Sequence, residues 1–324
     1  MMKSHPIGLF VFTVITVWAN ISLADGIWPT VGRPAIVAPG GVFDGDVAGD
    51  VSAFLGQGSQ RFPLTAVESG ALYSGAGTSL QVPATLAPGI YDFVVSTGGT
   101  DVIQPGSIHV VKTMESTYTI AMVRGSTLPP DGQSVFSEEV LAALVSEQPN
   151  LIFVSGVLTA DGSEAAYRAI QTQFGALNVP VVCPNREEYF RGDYEKVFGP
   201  AGYAFSFGED GYLILGPDLT HGGSGTVERV GYVHRWRRAL RSSRWSVGVA
   251  GRFGLDWSMR SQLALFVDDP LDYLLVGEVP SGSGEKLPWG RTRFSVPPAA
   301  PVLPLQFIDV DEEAMVVRGL PVEK

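Results

Sequence analysis

The chain has 324 residues, 45% of them hydrophobic and 17% charged, a globular composition that excludes a disordered or fibrous protein. Its 39 Gly and 23 Pro point to many turns and to β structure rather than a helical bundle. The net charge of −11 argues against nucleic acid and anionic membrane surfaces as partners. The single cysteine, Cys183, excludes an intrachain disulfide.

Residues 1–24 have the pattern of a secretory signal: Lys3 gives a positive start, residues 7–19 form an almost unbroken apolar run, and Ser22, Leu23 and Ala24 supply small residues before Asp25. The run falls short of the roughly 20 residues of a membrane span. No second span follows, so the expectation is an extracytoplasmic protein with no integral membrane segment once the signal is cleaved.

Residues 25–112 carry no helix-period pattern. Short β-type runs at 35–38, 51–55, 79–82, 91–96 and 108–111 alternate with Gly- and Pro-rich turns, which predicts a small all-β sandwich similar to an immunoglobulin fold. The polar stretch 112–117 is the expected boundary.

Residues 113–324 read differently. A strand run at 118–123 precedes a helix that Ser137 caps, with Val140, Leu141, Leu144 and Val145 on one face. Residues 151–154 are a buried-type strand, Asp161-Gly162-Ser163-Glu164 starts a second helix ending near 176, and 179–183 is a third strand. Strand, helix, strand, helix, strand at these lengths is a parallel α/β unit. A hairpin is expected from 203 to 215, turning at Asp210-Gly211. Helices at 233–241 and 258–266 and strands at 246–249, 273–276, 292–296, 305–310 and 315–317 complete the pattern.

Between 118 and 310 the wording of these pieces resembles the calcineurin-like metallophosphoesterases. The run from Pro149 to Gly156 followed by Leu158-Thr159, the Asn178-Val179-Pro180-Val181-Val182 strand, Phe198-Gly199-Pro200, the 203–208 hairpin and the 270–277 approach recur in the order that family uses. The resemblance implies an α/β (α+β) fold, a four-layer β-sandwich flanked by helices, following the Ig-like unit. It also implies two divalent metal ions held by Asp-x-His, Gly-Asp, Gly-Asn-His, a lone His and Gly-His-x-His. Two cations about 4 Å apart repel, so a bridging carboxylate and further anionic or imidazole ligands are required.

None of these slots keeps its full set of ligands here. Asp-x-His falls on Gly125 and Thr127, Gly-Asp on Gly156 and Val157, the lone His near Gly251, and Gly-His-x-His on Gly277, Glu278 and Pro280. The Gly-Asn-His segment lies within Pro184 to Glu188, where Asn185 survives and no His is present. Past the leader the chain has only His109, His221 and His234, none in a slot.

Arg124, Arg186, Arg252, Glu187, Glu188 and Glu278 lie in or beside the emptied slots. Two readings stay open: Arg–Glu pairs that plug a vestigial cleft, or guanidinium groups that bind an anion in place of the metals. The expectation is a catalytically inactive relative, without a cofactor, binding an unidentified ligand or envelope protein. The alternative is a phosphoric ester hydrolase with an atypical metal site, for which Asp193, Glu187, Glu188, Glu278 and His221 would be the ligands. A third reading gives the work to the first unit, as an adhesion or glycan module.

No Gly-x-Ser-x-Gly, Walker A or His-Glu-x-x-His pattern occurs. Gly222 to Gly225 reads as a surface loop. Arg235, Arg237, Arg238, Arg241 and Arg244 read as a solvated basic face, Trp236, Trp245, Trp257 and Trp289 as packing residues, and Cys183 as a buried thiol at a strand end.

Overall fold

The computed structural model describes residues 27–47, 52–67, 78–112, 115–125, 134–156, 158–184, 191–216, 236–251, 270–277, 293–295 and 304–318. The signal-like segment 1–24 lies outside them. Among the described residues no helix is long and apolar enough to cross a membrane.

The N-terminal part is all β. Its strands are β1 (Ala35–Val37), β2 (Val42–Gly45), β3 (Ser52–Gln57), β4 (Gln60–Pro63), β5 (Thr65–Ala66), β6 (Thr78–Gln81), β7 (Gly89–Thr97) and β8 (Thr100–Val110). They form two sheets, ordered β1-β8-β7-β3-β4 and β2-β6-β5. Alternate residues of both sheets enter one core, with Phe43 and Leu80 from the smaller sheet meeting Leu55, Phe93 and Ile108 from the larger. Phe43 and Phe93 meet edge-on with centroids 5.9 Å apart, the geometry that ring quadrupoles favour.

The remainder mixes strands and helices: β9 (Tyr118–Arg124), α1 (Glu138–Glu147), β10 (Leu151–Ser155), α2 (Glu164–Gly175), β11 (Val181–Val182), α3 (Arg191–Phe198), β12 (Tyr203–Phe207), β13 (Asp210–Leu215), β14 (Ser246–Ala250), β15 (Tyr273–Val276), β16 (Arg293–Ser295), β17 (Leu305–Val310) and β18 (Met315–Arg318). Two five-stranded mixed sheets result, ordered β11-β10-β9-β17-β18 and β12-β13-β14-β15-β16. Both helix starts expected from the sequence are present: the Ser137 hydroxyl accepts from the Val140 amide and that of Ser163 from Ala166. Each satisfies a backbone donor that the first helical turn leaves without an intrahelical partner.

Side-chain alternation decides the layers. In the first sheet Ala121, Val123, Ile152, Val154 and Phe307 face α1, α2 and α3. Their neighbours Ile120, Met122, Leu151, Phe153 and Ile308 face Tyr212, Ile214, Val247, Val249 and Leu275 of the second sheet. Because β10 is buried on both sides, it reads as an unbroken apolar run rather than an alternating one. On the far side of the second sheet, Trp236 and Leu240 pack where Gly202 and Gly211 leave room.

The two parts are joined by more than the chain between β8 and β9. Gly32 bridges to Val182 at the free side of β11, and the Cys183 amide donates to the Gly32 carbonyl at 2.7 Å. The Thr30 hydroxyl donates to the Phe198 carbonyl at 3.1 Å, and Ile36 of β1 enters the core between the second pair of sheets. His109 of β8 is buried near this junction, beside Val31, Gly32 and Phe174.

At the opposite end of that core lies a buried polar network. Asp210, fully buried, accepts from the Tyr118 hydroxyl at 2.6 Å, from the Arg244 guanidinium at 3.0 and 2.7 Å, and from the Trp245 amide at 3.1 Å. The Tyr118 and Tyr212 hydroxyls share a further hydrogen bond of 2.5 Å. Burial is the main cause that pushes both phenols above their ordinary range. The hairpin therefore turns at Gly208-Glu209, and Asp210 belongs to β13 instead of to the turn expected for it. Arg244, expected on a solvated face, is this carboxylate's ion-pair partner and only 14% exposed.

Two outcomes follow from these buried groups. Replacing Asp210 by Ala strands the Arg244 charge and is expected to lower unfolding free energy by about 3 kcal/mol or more, measured by urea denaturation. Burial pushes the His109 imidazole down to about 4, below its unfolded value near 6.5. The unfolded chain then binds the extra proton between those values, so stability present above pH 6.5 is lost on acidification toward pH 4, by about 3 kcal/mol in all. His109→Gln should flatten that part of the stability–pH curve.

Candidate functional site

In open α/β sheets, ligands gather at the carboxyl ends of the parallel strands. Here β9 and β10 end at Arg124 and Ser155 in the first sheet, and β14 and β15 at Ala250 and Val276 in the second. The residues that follow are Gly125, Gly156, Gly251 and Gly277. Within each sheet the ends are tied by the backbone: the Gly125 amide donates to the Ser155 carbonyl at 2.8 Å, and the Gly277 amide to the Ala250 carbonyl at 2.9 Å. The Arg124 amide donates to the Pro304 carbonyl at 2.8 Å, which holds the end of β9 against the approach to β17.

The two sheets also touch each other here. A Cβ at position 277 would stand 2.1 Å from both Cβ and Oγ of Ser155 and 2.6 Å from the Gly251 carbonyl oxygen. Glycine is thus obligatory at 277, because the backbone of one sheet rests directly on a side chain of the other. Gly156 adopts φ +111°, a region closed to residues with a Cβ, and a Cβ there would lie 2.8 Å from the Gly125 carbonyl oxygen. Beside it a Cβ on Gly125 would meet Leu158 at 2.6 Å. The Ser155 hydroxyl is buried and turns back to the Val123 carbonyl at 3.4 Å.

Of the residues singled out from the sequence, Arg124, Gly125 and Gly251 meet at this strand-end cluster, with the Arg124 side chain passing over Gly156. Thr127, Val157, Asn185, Arg186, Glu187, Glu188, Arg252, Glu278 and Pro280 lie outside the described residues, as do His221, His234, Trp257, Trp289 and the 222–225 loop. Asp193 is elsewhere: it sits on the surface of α3 and pairs with Lys196 at 2.9 Å. Cys183 is buried at the end of β11, where its carbonyl accepts from the Tyr194 hydroxyl. Trp236 is buried, and the Trp245 indole donates to the Asp311 carbonyl at 3.2 Å, so both act in packing.

The donor set of the strand ends can be tested against the metals that the sequence resemblance implies. A two-ion centre needs carboxylate and imidazole ligands converging from several loops. The described residues at the strand ends offer a serine hydroxyl, backbone carbonyls and a guanidinium, and these do not fit such a centre. Among the described residues no group of three or more His, Cys, Asp or Glu gathers where it could hold an ion.

No family model matches the chain, and no curated protein matches it. Among solved structures it is similar to a purple acid phosphatase from yellow lupin (Lupinus luteus) seeds, at 12% identity and a TM-score of 0.46, covering 85% of this chain and 68% of that one. It is also similar to PhoD, at 8% identity and a TM-score of 0.45, covering 92% of this chain and 88% of that one.

The Ser155–Gly277 contact has a direct test. Gly277→Ala should cost about 2 kcal/mol or more of stability, as overpacking against an unyielding neighbour does. Adding Ser155→Gly removes the atoms it strikes and should recover at least about 1 kcal/mol, a coupling read from a double-mutant cycle of thermal melts. Strictly additive effects would show that the two sheets do not meet there.

Proposed function

We propose that this is an extracytoplasmic protein built on a calcineurin-like phosphoesterase fold, preceded by an Ig-like sandwich, that has given up metal-supported catalysis and serves as a binding or interaction module. The observation that carries the reading is the chemistry of the strand ends. Where a two-metal centre would require a bridging carboxylate and imidazoles, the slots hold Gly125, Thr127, Val157, Gly251, Glu278 and Pro280. An isopropyl group at 157 offers no lone pair to a cation, and the only histidines past the leader are at 109, 221 and 234. His109 belongs to β8, away from the strand ends, and is buried.

The reading divides the chain into residues 1–24 as a cleaved signal, 25–112 as the sandwich and 113–324 as the degenerate phosphoesterase unit. The junction at Gly32 and Ile36 supports a rigid pairing of the two units, as a module that presents a fixed surface would need. The partner is an unidentified ligand or an envelope protein; the net charge of −11 disfavours polyanions by long-range repulsion.

The experiment is metal analysis of the purified mature chain together with turnover of bis-p-nitrophenyl phosphate across added manganese, zinc and iron. The expected result is no stoichiometric metal, no hydrolysis above buffer, and melting unchanged by a chelator. Two equivalents of a transition metal with turnover would replace this reading by the hydrolase with an atypical site.

A further inference from the structure

The face of β8 that carries His109 is turned toward the second unit. Ile36 of β1 and Ile90 of β7 stand in register with His109, and cross-strand partners share a face of the sheet. Ile108 and Val110, one position to either side, enter the sandwich core, so Ile36, Ile90 and His109 point out of it. Ile36 joins the core between the second pair of sheets. Around His109 the second unit supplies Phe174, Leu177, Val179 and Val181, and the chain before β1 supplies Val31. They border a gap of about 10 Å³, the room of one water molecule at most.

This contact is not built to hold a cation. Among the described residues, no side chain lining the gap is ionisable except the imidazole itself. The charged groups on the elements packed around it are engaged in other ways. Arg33 lies against Trp28 and Tyr203. Glu164 and Arg168 pair with each other at 2.7 Å toward the start of α2, Asp101 of β8 pairs with Arg61, and Lys112 is exposed past the end of β8. Asp92 of β7 accepts from the Gly106 amide at 2.8 Å. Burial makes that carboxylate easier to protonate, so acid removes its charge instead of supplying a counter-ion. Burial alone holds the His109 imidazole down at about 4, with no charge or hydrogen bond contributing.

We propose that His109 is an acid-operated latch, whose protonation parts the sandwich from the second unit while the core of each stays folded. A proton on the buried ring sets a cation against apolar side chains, which is costly, and parting the units returns it to water. The open form therefore takes up the proton more readily than the closed form. The closed form, intact above pH 6.5, yields as the pH falls toward 4. From pH 7 to pH 5 the open form gains about 20-fold relative to the closed one. The Overall fold prediction is thereby given a place: the loss in acid is taken first at the junction. The latch shares no residue with the strand-end cluster and is independent of the function proposed above.

Native-state hydrogen exchange on the full mature chain, followed by NMR at pH 7 and pH 5 in low urea, tests it. The Cys183 amide, which crosses the junction to the Gly32 carbonyl, reports the opening, and the Phe93 and Val249 amides report the two cores. After correction for intrinsic exchange, protection of Cys183 should fall about 20-fold between the two pH values. Its urea slope should lie below those of Phe93 and Val249, because a partial opening exposes less surface. His109→Gln should abolish the fall. Should that variant not fold, the imidazole resonance of the unaltered chain decides, and it should titrate well below the ordinary value near 6.5. Exchange of Cys183 at the rate and slope of the two core amides, a fall that persists in His109→Gln, or titration of the ring at its ordinary value would each overturn the proposal.

Discussion

Two mixed sheets packed face to face touch at the carboxyl ends of their parallel strands, with no space for one methyl group between Gly277 and Ser155. Much else is arranged around that contact. The sheets approach so closely because their facing sides are filled by Ile120, Phe153, Tyr212 and Val249, and interiors of this density transmit a fixed spacing to their ends. The consequence is a constraint on sequence: a side chain at 277 would strike Ser155, and φ +111° at 156 disfavours any residue with a Cβ.

The opposite end of the same core is held by different physics. Asp210, Arg244, Tyr118 and Tyr212 form a network of charge-assisted bonds away from water, joining the first strand of one sheet to the hairpin of the other. Such a network is worth little as a simple sum of attractions, since desolvation offsets them. Its value lies in geometry, because Tyr118 of β9 must stand over Asp210 and Tyr212 of β13 for these bonds to form. Between the glycine contact and this network the inter-sheet packing is pinned at both ends, while Gly32 and Ile36 attach the N-terminal sheets at the side.

What could be read in the sequence follows from range. The unbroken apolar run of β10, the serine cap at 137 and the helix start within 161–164 are signals carried within a few residues, and each element is present where expected. β2, β4 and β5 were not expected: Val42–Gly45, Gln60–Pro63 and Thr65–Ala66 are short, and β4 and β5 expose every residue to some degree. Helix α3 was also missed, since Gly192 weakens its local propensity and its order comes from packing of Tyr194, Val197 and Phe198. Asp210-Gly211 has the composition of a turn, yet the carboxylate's partners stand 92 and 34 positions away, and no local pattern announces them. At the strand ends the sequence showed which ligands were missing. That the ends of the two sheets touch at Gly277 and Ser155 depends on how the sheets pack, which no single segment encodes.

Diffraction from crystals soaked in manganese tests those closed ends most directly. The anomalous map should be featureless between the carboxyl ends of β9, β10, β14 and β15, with Gly277 still resting on Ser155. Two strong peaks about 4 Å apart at that place, with the sheets parted to admit them, would contradict it.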